Sequence, residues 1–262
     1  MKLQGCTALI TGASAGIGRE LARQLARDAH AMVLVARRQD RLEELRTELT
    51  RQYPNLIVHL RATDLSQGAE VTELCTWLER EQIAIDFLVN NAGLGDRGVF
   101  VRGAPERINE MMQVNIVALT LLTRRLLPAM LAQKRGAILN VSSSASFMPM
   151  PGLAVYAASK AYVTSFTEAL RVEMRGRCIT VTALCPGPVH TEFNTVATRS
   201  GEMKPIGPKF SYVDLDEVAR AALAAIEHDR PVIIPGWAMK LAMGLVRLTP
   251  MPILRRALGM KW

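Results

Sequence analysis

A single doubly wound α/β domain, built as a seven-stranded parallel sheet with helices on both faces, is the fold class this 262-residue sequence predicts. Two observations carry that expectation. Val/Ile/Leu-rich runs without polar–apolar alternation recur near residues 6–11, 31–36, 56–61, 86–90, 136–142, 179–184 and 231–235, as in strands buried on both faces. Helical patterns fill every gap, with long ones near 105–132 and 156–175, and no linker, repeat or low-complexity tract interrupts them. Strand–helix alternation of this kind places a ligand at the carboxyl ends of the strands.

Taken in order, the first run, Cys6 to Ile10, leads into Thr11-Gly12-Ala13-Ser14-Ala15-Gly16-Ile17-Gly18, and Leu21, Ala22, Leu25 and Ala26 then share one helix face. Glycines in such a turn let backbone approach a pyrophosphate, and the helix start turns free N–H groups and a positive dipole end towards it. A tight turn with no ligand is the plain alternative. The second run ends at Ala36, which cannot hydrogen-bond a ribose hydroxyl, and Arg37 and Arg38 follow. Two guanidiniums there suit a phosphate; as mere surface arginines they would crowd the positive end of a helix that Asp40 and Glu43 look set to cap.

Asp64 and Leu65 follow the third run, and Asn90-Asn91-Ala92-Gly93 closes the fourth. Asn115 sits among apolar neighbours in the long helical pattern, where an amide needs a reason to be. The fifth run ends in Asn140-Val141-Ser142-Ser143, and a stretch with Pro149, Pro151 and Gly152 can fold the chain back towards the next helix. That helix carries Tyr156 and Lys160, one turn apart on one face. A phenol has an ordinary pKa of about 10, and an adjacent ammonium favours the phenolate, so the pair is a candidate proton donor and acceptor. Read alone, the spacing also describes an ordinary exposed helix face.

The glycine turn, the Asn90-Asn91-Ala92-Gly93 run, the Asn140-Val141-Ser142-Ser143 segment with Tyr156 and Lys160, and the Pro186-Gly187-Pro188-Val189-His190-Thr191 loop together resemble the short-chain dehydrogenase/reductase family over nearly the full chain. The resemblance implies a Rossmann-like fold and carbonyl–alcohol interconversion with a nicotinamide cofactor. It assigns Asn115, Ser143, Tyr156 and Lys160 to catalysis. Ser143 would hydrogen-bond the substrate carbonyl, although Ser142 and Ser144 stand beside it, and Asn115 would kink its helix and hold a water reached by the lysine. Cofactor contacts would come from Gly12, Ser14, Ala15, Gly16, Ile17 and Gly18; from Asn91, Ala92 and Gly93; from Tyr156 and Lys160; and from Pro186, Gly187, Val189 and Thr191. Asp64 and Leu65 would flank the adenine, with Asp64 equally able to cap the next helix. Asn90 is open between a loop-stabilising amide and a cofactor contact. Arg37 and Arg38 favour NADP(H) over NAD(H). A non-catalytic NADP(H)-binding sensor or scaffold is the alternative, against which the full set of reactive side chains argues.

Bulk properties bound the rest. The amino terminus shows no cleavable apolar region, no apolar stretch is expected to reach the roughly 20 residues of a membrane span, and Cys6, Cys75, Cys178 and Cys185 lack Cys-x-x-Cys spacing, so a reduced cytoplasmic setting is expected. The histidines are scattered, so no metal site is expected. The formal charge of +8 comes from arginines set opposite glutamates along helices, which does not describe a nucleic-acid surface. Residues 192–212, rich in Gly, Pro, Thr and Lys, read as a lid within a domain spanning 1–236. The extension 237–262 is apolar, then basic at Arg255, Arg256 and Lys261. It would cover the cleft or meet a partner subunit, or else lie on a membrane surface, and either reading suits a lipophilic carbonyl such as a 3-oxoacyl or steroid-like ketone. Pairing into a homodimer or homotetramer is implied by the resemblance.

Overall fold

The computed structural model describes residues 1–198, 211–257 and 259. Strands β1 (Thr7–Thr11), β2 (Ala31–Ala36), β3 (Ile57–Ala62), β4 (Phe87–Asn90), β5 (Gly136–Val141), β6 (Ile179–Leu184) and β7 (Val232–Ile233) form one sheet in the order β3-β2-β1-β4-β5-β6-β7. Every neighbouring pair is parallel. β7 is shorter than its apolar run suggests, because the chain leaves the sheet before Pro235.

Successive strand residues point to opposite faces, and each face has its own helices. Ala8, Ile10, Met32 and Leu34 pack against α1 (Gly16–Leu25), α2 (Gln39–Gln52) and α8 (Leu215–Glu227). Leu9, Val33, Val35 and Leu88 meet α3 (Gly68–Arg80), α5 (Leu119–Ala132) and α6 (Ala154–Glu173). The strand order reverses between β1 and β4, and in open α/β sheets the crevice above that reversal is where ligands bind.

Between α4 (Pro105–Met112) and α5 the chain makes a π-helical turn, Gln113–Ala118, with Asn115 buried in it. Such single-turn bulges mark places where a side chain must be re-aimed. The rod Pro105–Ala132 has 28 residues and is apolar enough to cross a bilayer by length and composition, contrary to the sequence expectation. Val114, Ala118 and Leu122 nevertheless lie in the core against the sheet. A polar ladder stitches this layer together: Asn90 Nδ2 donates to Thr123 Oγ1 (3.0 Å) and Asn140 Oδ1 (2.9 Å), and Asn140 Nδ2 donates to Thr167 Oγ1 (2.9 Å). Asn90 is therefore a structural amide.

The capping box expected at Asp40 and Glu43 does not form. α2 starts at Gln39 directly after Arg38, which is its N-cap residue and offers no capping side chain. Glu43 instead accepts from Gln39 Nε2 at 2.9 Å. The chain turns helical two residues earlier than a cap at Asp40 requires, and Arg38 is left at the positive end of the helix.

Candidate active site

The glycine turn is braced from beneath by Asn91. Its Nδ2 donates to Thr11 O (2.9 Å) and Gly12 O (3.3 Å), while Thr11 Oγ1 accepts from the Asn91 and Ala92 amides at 2.9 and 3.0 Å. A Cβ on Gly12 would stand 2.7 Å from Asn91 Nδ2, and its φ of +67° is left-handed. A Cβ on Gly18 would stand 2.6 Å from Gly12 O. These two glycines are required by protein–protein contact, so Gly18 lies beneath the cleft and not on its wall. Gly16, also left-handed at φ +55°, opens α1, and no side chain caps the N–H groups of that helix. Ser14, Ala15 and Ile17 complete this wall. Uncapped amides with no acidic residue in the first turn of α1 fit a pyrophosphate.

Above the turn lies a cleft of about 600 Å³. One end is bounded by Arg37, Arg38, Asp64 and Leu65, the middle by Asn91, Ala92 and Gly93, and the far end by Ser143, Tyr156 and Lys160. Pro186, Gly187, Val189 and Thr191 form the wall after β6. The structure thus gathers nearly every residue singled out from sequence into one crevice. Asp64 is neither a cap nor free: the N-cap residue of α3 is Gln67, whose side chain makes no capping bond, and Asp64 Oδ1 accepts from Ser66 N (3.0 Å) and Oγ (2.8 Å) in a turn before it.

Arg37 and Arg38 do not form a common fork. Arg37 turns to Glu110 on α4 (2.8 Å), whereas Arg38 donates to Ser14 Oγ (3.3 Å) and Glu192 (2.9 Å). The guanidinium that shares Glu192 with Arg38 is that of Arg41, one helical turn on. Consecutive residues leaving a strand diverge, and residues three apart on a helix converge. Arg41 was legible by that rule.

At the far end the serines separate by role. Ser142 Oγ is buried and bonded to Lys160 O (2.8 Å) and Thr164 Oγ1 (2.7 Å). Ser143 lies at the cleft and accepts from Ala145 N (3.1 Å), which leaves its own proton to donate. Asn115 stands behind the wall: Oδ1 accepts from Leu94 N (2.8 Å), and Nδ2 donates to Leu94 O (3.0 Å) and Ser159 Oγ (2.9 Å). Lys160 is 4% exposed, and its ammonium donates to Val141 O at 2.8 Å, with two N–H groups remaining.

Electrostatics here differ from the sequence expectation. Burial pushes the Tyr156 phenol up to about 12, against the lowering influence of a hydrogen bond with Ser143. Burial also pulls Lys160 down to about 8, partly offset by Cys185. The ammonium lies 5.9 Å from the phenol ring centroid and is directed at Val141 O, not at the phenol oxygen. Desolvation of both groups outweighs their mutual effect.

The apolar lining at this end comes from Phe193 and Val196 on α7 (Glu192–Ala197) and from Met239 and Met243 on α9 (Trp237–Leu248), in the segments expected to form a lid and to cover the cleft, and from Met148, Met150 and Leu153 before α6, which sequence reasoning missed. Phe193 packs 5.3 Å from the Tyr156 ring, centroid to centroid. Gly95 permits that packing, since a Cβ there would lie 2.6 Å from Phe193 Cζ. The one available signal was the methionine content of these segments. Of the lid expected over 192–212, the first part is α7; residues 199–210 lie outside the described residues, as do Lys261 and Trp262 of the basic tail.

The profile of the family described as short chain dehydrogenase matches residues 6–201. The chain belongs to that family, and it is an oxidoreductase. The sequence is 36% identical over 221 residues to a very-long-chain 3-oxoacyl-CoA reductase of Caenorhabditis briggsae, covering 82% of this chain and 69% of the relative. Its fold is similar to that of a short-chain dehydrogenase from Sphingobium yanoikuyae in complex with NADPH, with a TM-score of 0.81, 32% identity, and 94% and 96% of the two chains covered. It is likewise similar to the bulky-bulky ketone specific alcohol dehydrogenase of Comamonas testosteroni, with a TM-score of 0.76, 29% identity, and 94% and 95% covered.

Proposed function

We propose that this protein reduces a lipophilic ketone or aldehyde to the alcohol with NADPH, reversibly. The observation that carries the reading is the meeting of Ser143, Tyr156 and Lys160 at the apolar end of a cleft whose other end is a glycine turn flanked by Arg38. NADPH, when bound, supplies the hydride. The Ser143 and Tyr156 hydroxyls donate to the carbonyl oxygen and stabilise the charge that grows there. Tyr156 then gives up its proton to that oxygen; a phenol held near 12 is fully protonated at neutral pH, as reduction requires. Lys160, steadied by Val141 O, offers its two remaining donors towards the cleft, and Asn115 positions the Leu94 backbone and Ser159 behind it.

The substrate class follows from the lining. Methionine side chains adapt to irregular apolar surfaces, and Met148, Met150, Met239 and Met243 all face this space. The neighbours named for bulky ketones and for very-long-chain 3-oxoacyl-CoA support a long or bulky carbonyl. Ketones and aldehydes of graded chain length, assayed with NADPH and NADH side by side, test the reading. Turnover that rises with chain length and prefers NADPH is expected; NADPH binding with no carbonyl-dependent consumption would instead make the protein a sensor.

A second part of the proposal concerns the surface. On α9, Trp237 (83% exposed), Leu241 (60%), Leu245 (59%) and Leu248 (83%) form an outward apolar stripe, while Met239 and Met243 face the cleft. Lys240 and Arg247 flank the stripe, and no acidic residue occurs after Glu227 except Asp229. Such a face fits an anionic lipid surface. Co-sedimentation with phosphatidylserine vesicles, lost in Trp237→Ser/Leu241→Ser, is expected; a drop in oligomer mass in that variant without any vesicle binding points to a partner copy instead. Pairing of two copies across α5 and α6, where Leu121 and Tyr162 are exposed, completes the proposed assembly and is read by light scattering.

A further inference from the structure

Glu192 opens α7 on the wall after β6, yet its carboxylate reaches the opposite wall of the cleft. Oε2 accepts from Arg38 Nη1 at 2.9 Å, and Oε1 accepts from Arg41 Nη1. Arg38 Nη2 donates at the same time to Ser14 in the glycine turn, 3.3 Å away. One carboxylate and two guanidiniums therefore tie together the turn after β1, the start of α2 and the start of α7. The tie continues inward: Thr191, which caps α7, sits against Gly16, where a Cβ would be 3.3 Å from its methyl group, and Phe193 packs on Tyr156. Hydrogen bonds from Arg41 and Arg38 hold the Glu192 carboxyl below its ordinary range, so it is an anion at neutral pH.

A phosphate monoester would compete for the same donors. It carries about −1.5 to −2 charges and three acceptor oxygens, against one charge and two oxygens for a carboxylate. We propose that Glu192 is a cofactor-specificity residue: its carboxylate holds the Arg38–Arg41 fork in place of an adenosine 2′-phosphate, and a 2′-phosphorylated nucleotide displaces it and unlatches α7. A nucleotide with a free 2′-hydroxyl lacks the charge to break the tie and leaves α7 latched. This inference rests on reading the cleft as a nucleotide site.

Calorimetry with adenosine 2′,5′-bisphosphate and with 5′-AMP tests it without any turnover. Glu192→Gln should bind the bisphosphate about three- to tenfold more tightly than the natural protein, the scale of two exposed charge-assisted contacts, and 5′-AMP with less than about twofold change. Asp40→Asn, which removes an equal charge beside Arg41 without touching the fork, should give a clearly smaller gain. Equal gains for both nucleotides, an equal gain in Asp40→Asn, or weaker bisphosphate binding in Glu192→Gln would each overturn the inference while leaving the nucleotide site standing. Absence of binding of either nucleotide to either protein would overturn both. Hydrogen exchange gives an independent readout: the bisphosphate should speed exchange of the amides in 192–197, and 5′-AMP should not. Slower exchange with the bisphosphate would mean that α7 closes over the phosphate and that the latch is wrong.

Discussion

At the glycine-turn end of the cleft the floor is backbone, braced by hydrogen bonds from the Thr11 and Asn91 side chains. At the Tyr156 end the walls are flexible apolar side chains drawn from three separate segments, ahead of α6, on α7 and on α9. The first end tolerates almost no change, because Asn91 fills the space any Cβ on Gly12 would need. The second end can repack, because methionines adjust at little cost. A rigid mould suits a nucleotide, which is the same in every turnover, and a compliant one suits the range of carbonyl chains proposed as substrates.

Tyr156 stands where the two ends meet, and its substitution should have the largest effect. Tyr156→Phe is expected to lower kcat by about 10²–10⁴-fold with nucleotide affinity unchanged, measured by steady-state turnover and nucleotide titration. Near-normal turnover would remove the phenol from the mechanism and break the division of labour. Next in size, Gly12→Ala should cost about 1–3 kcal/mol of stability and abolish nucleotide binding, because the added Cβ lies 2.7 Å from Asn91 Nδ2. A thermal melt and a nucleotide titration check it; an unchanged melt would show that the rigid end yields.

Met243→Ala sharpens the contrast. It should raise KM about tenfold for long-chain ketones and leave short ones unaffected, since a lost apolar contact is worth about 1–3 kcal/mol at most. The smallest effect lies in pH dependence. Lys160 is pulled from 10.5 to about 8 on folding. Below about 8 it is protonated in both states, and the burial penalty is fully present. Between about 8 and 10.5 the unfolded chain holds more protons, so this group's contribution to stability rises with pH. The natural protein should therefore gain on Lys160→Met in urea midpoint as pH passes through 8; a constant difference would mean that the buried lysine is not depressed.

The two ends also differ in how much of them could be read from the chain. Gly12, Gly16 and the Tyr156–Lys160 spacing follow from a few consecutive residues, which set a turn or a helix face, whereas Asn91 and Ser143 were legible only through the family resemblance. Phe193, Met239 and Met243 had no such signature. They reach the cleft because α7 crosses its mouth and α9 returns over the segment before α6. Local rules also failed where two elements compete for one side chain. Arg37 was expected to help bind a phosphate and turns to Glu110, and Lys160 was expected to act on the phenol and turns to Val141 O.

The amino-acid order alone determined the parallel α/β sheet, the glycine turn after its first strand and the placing of Tyr156 and Lys160 one turn apart on one helix, because periodicity and backbone conformation are properties of neighbours in the chain. Only the tertiary structure decided which cations face a shared carboxylate, how far burial shifts Tyr156 and Lys160, and which methionines shape the substrate end. Those depend on desolvation and on contacts between segments far apart in sequence, quantities that no short stretch of residues contains.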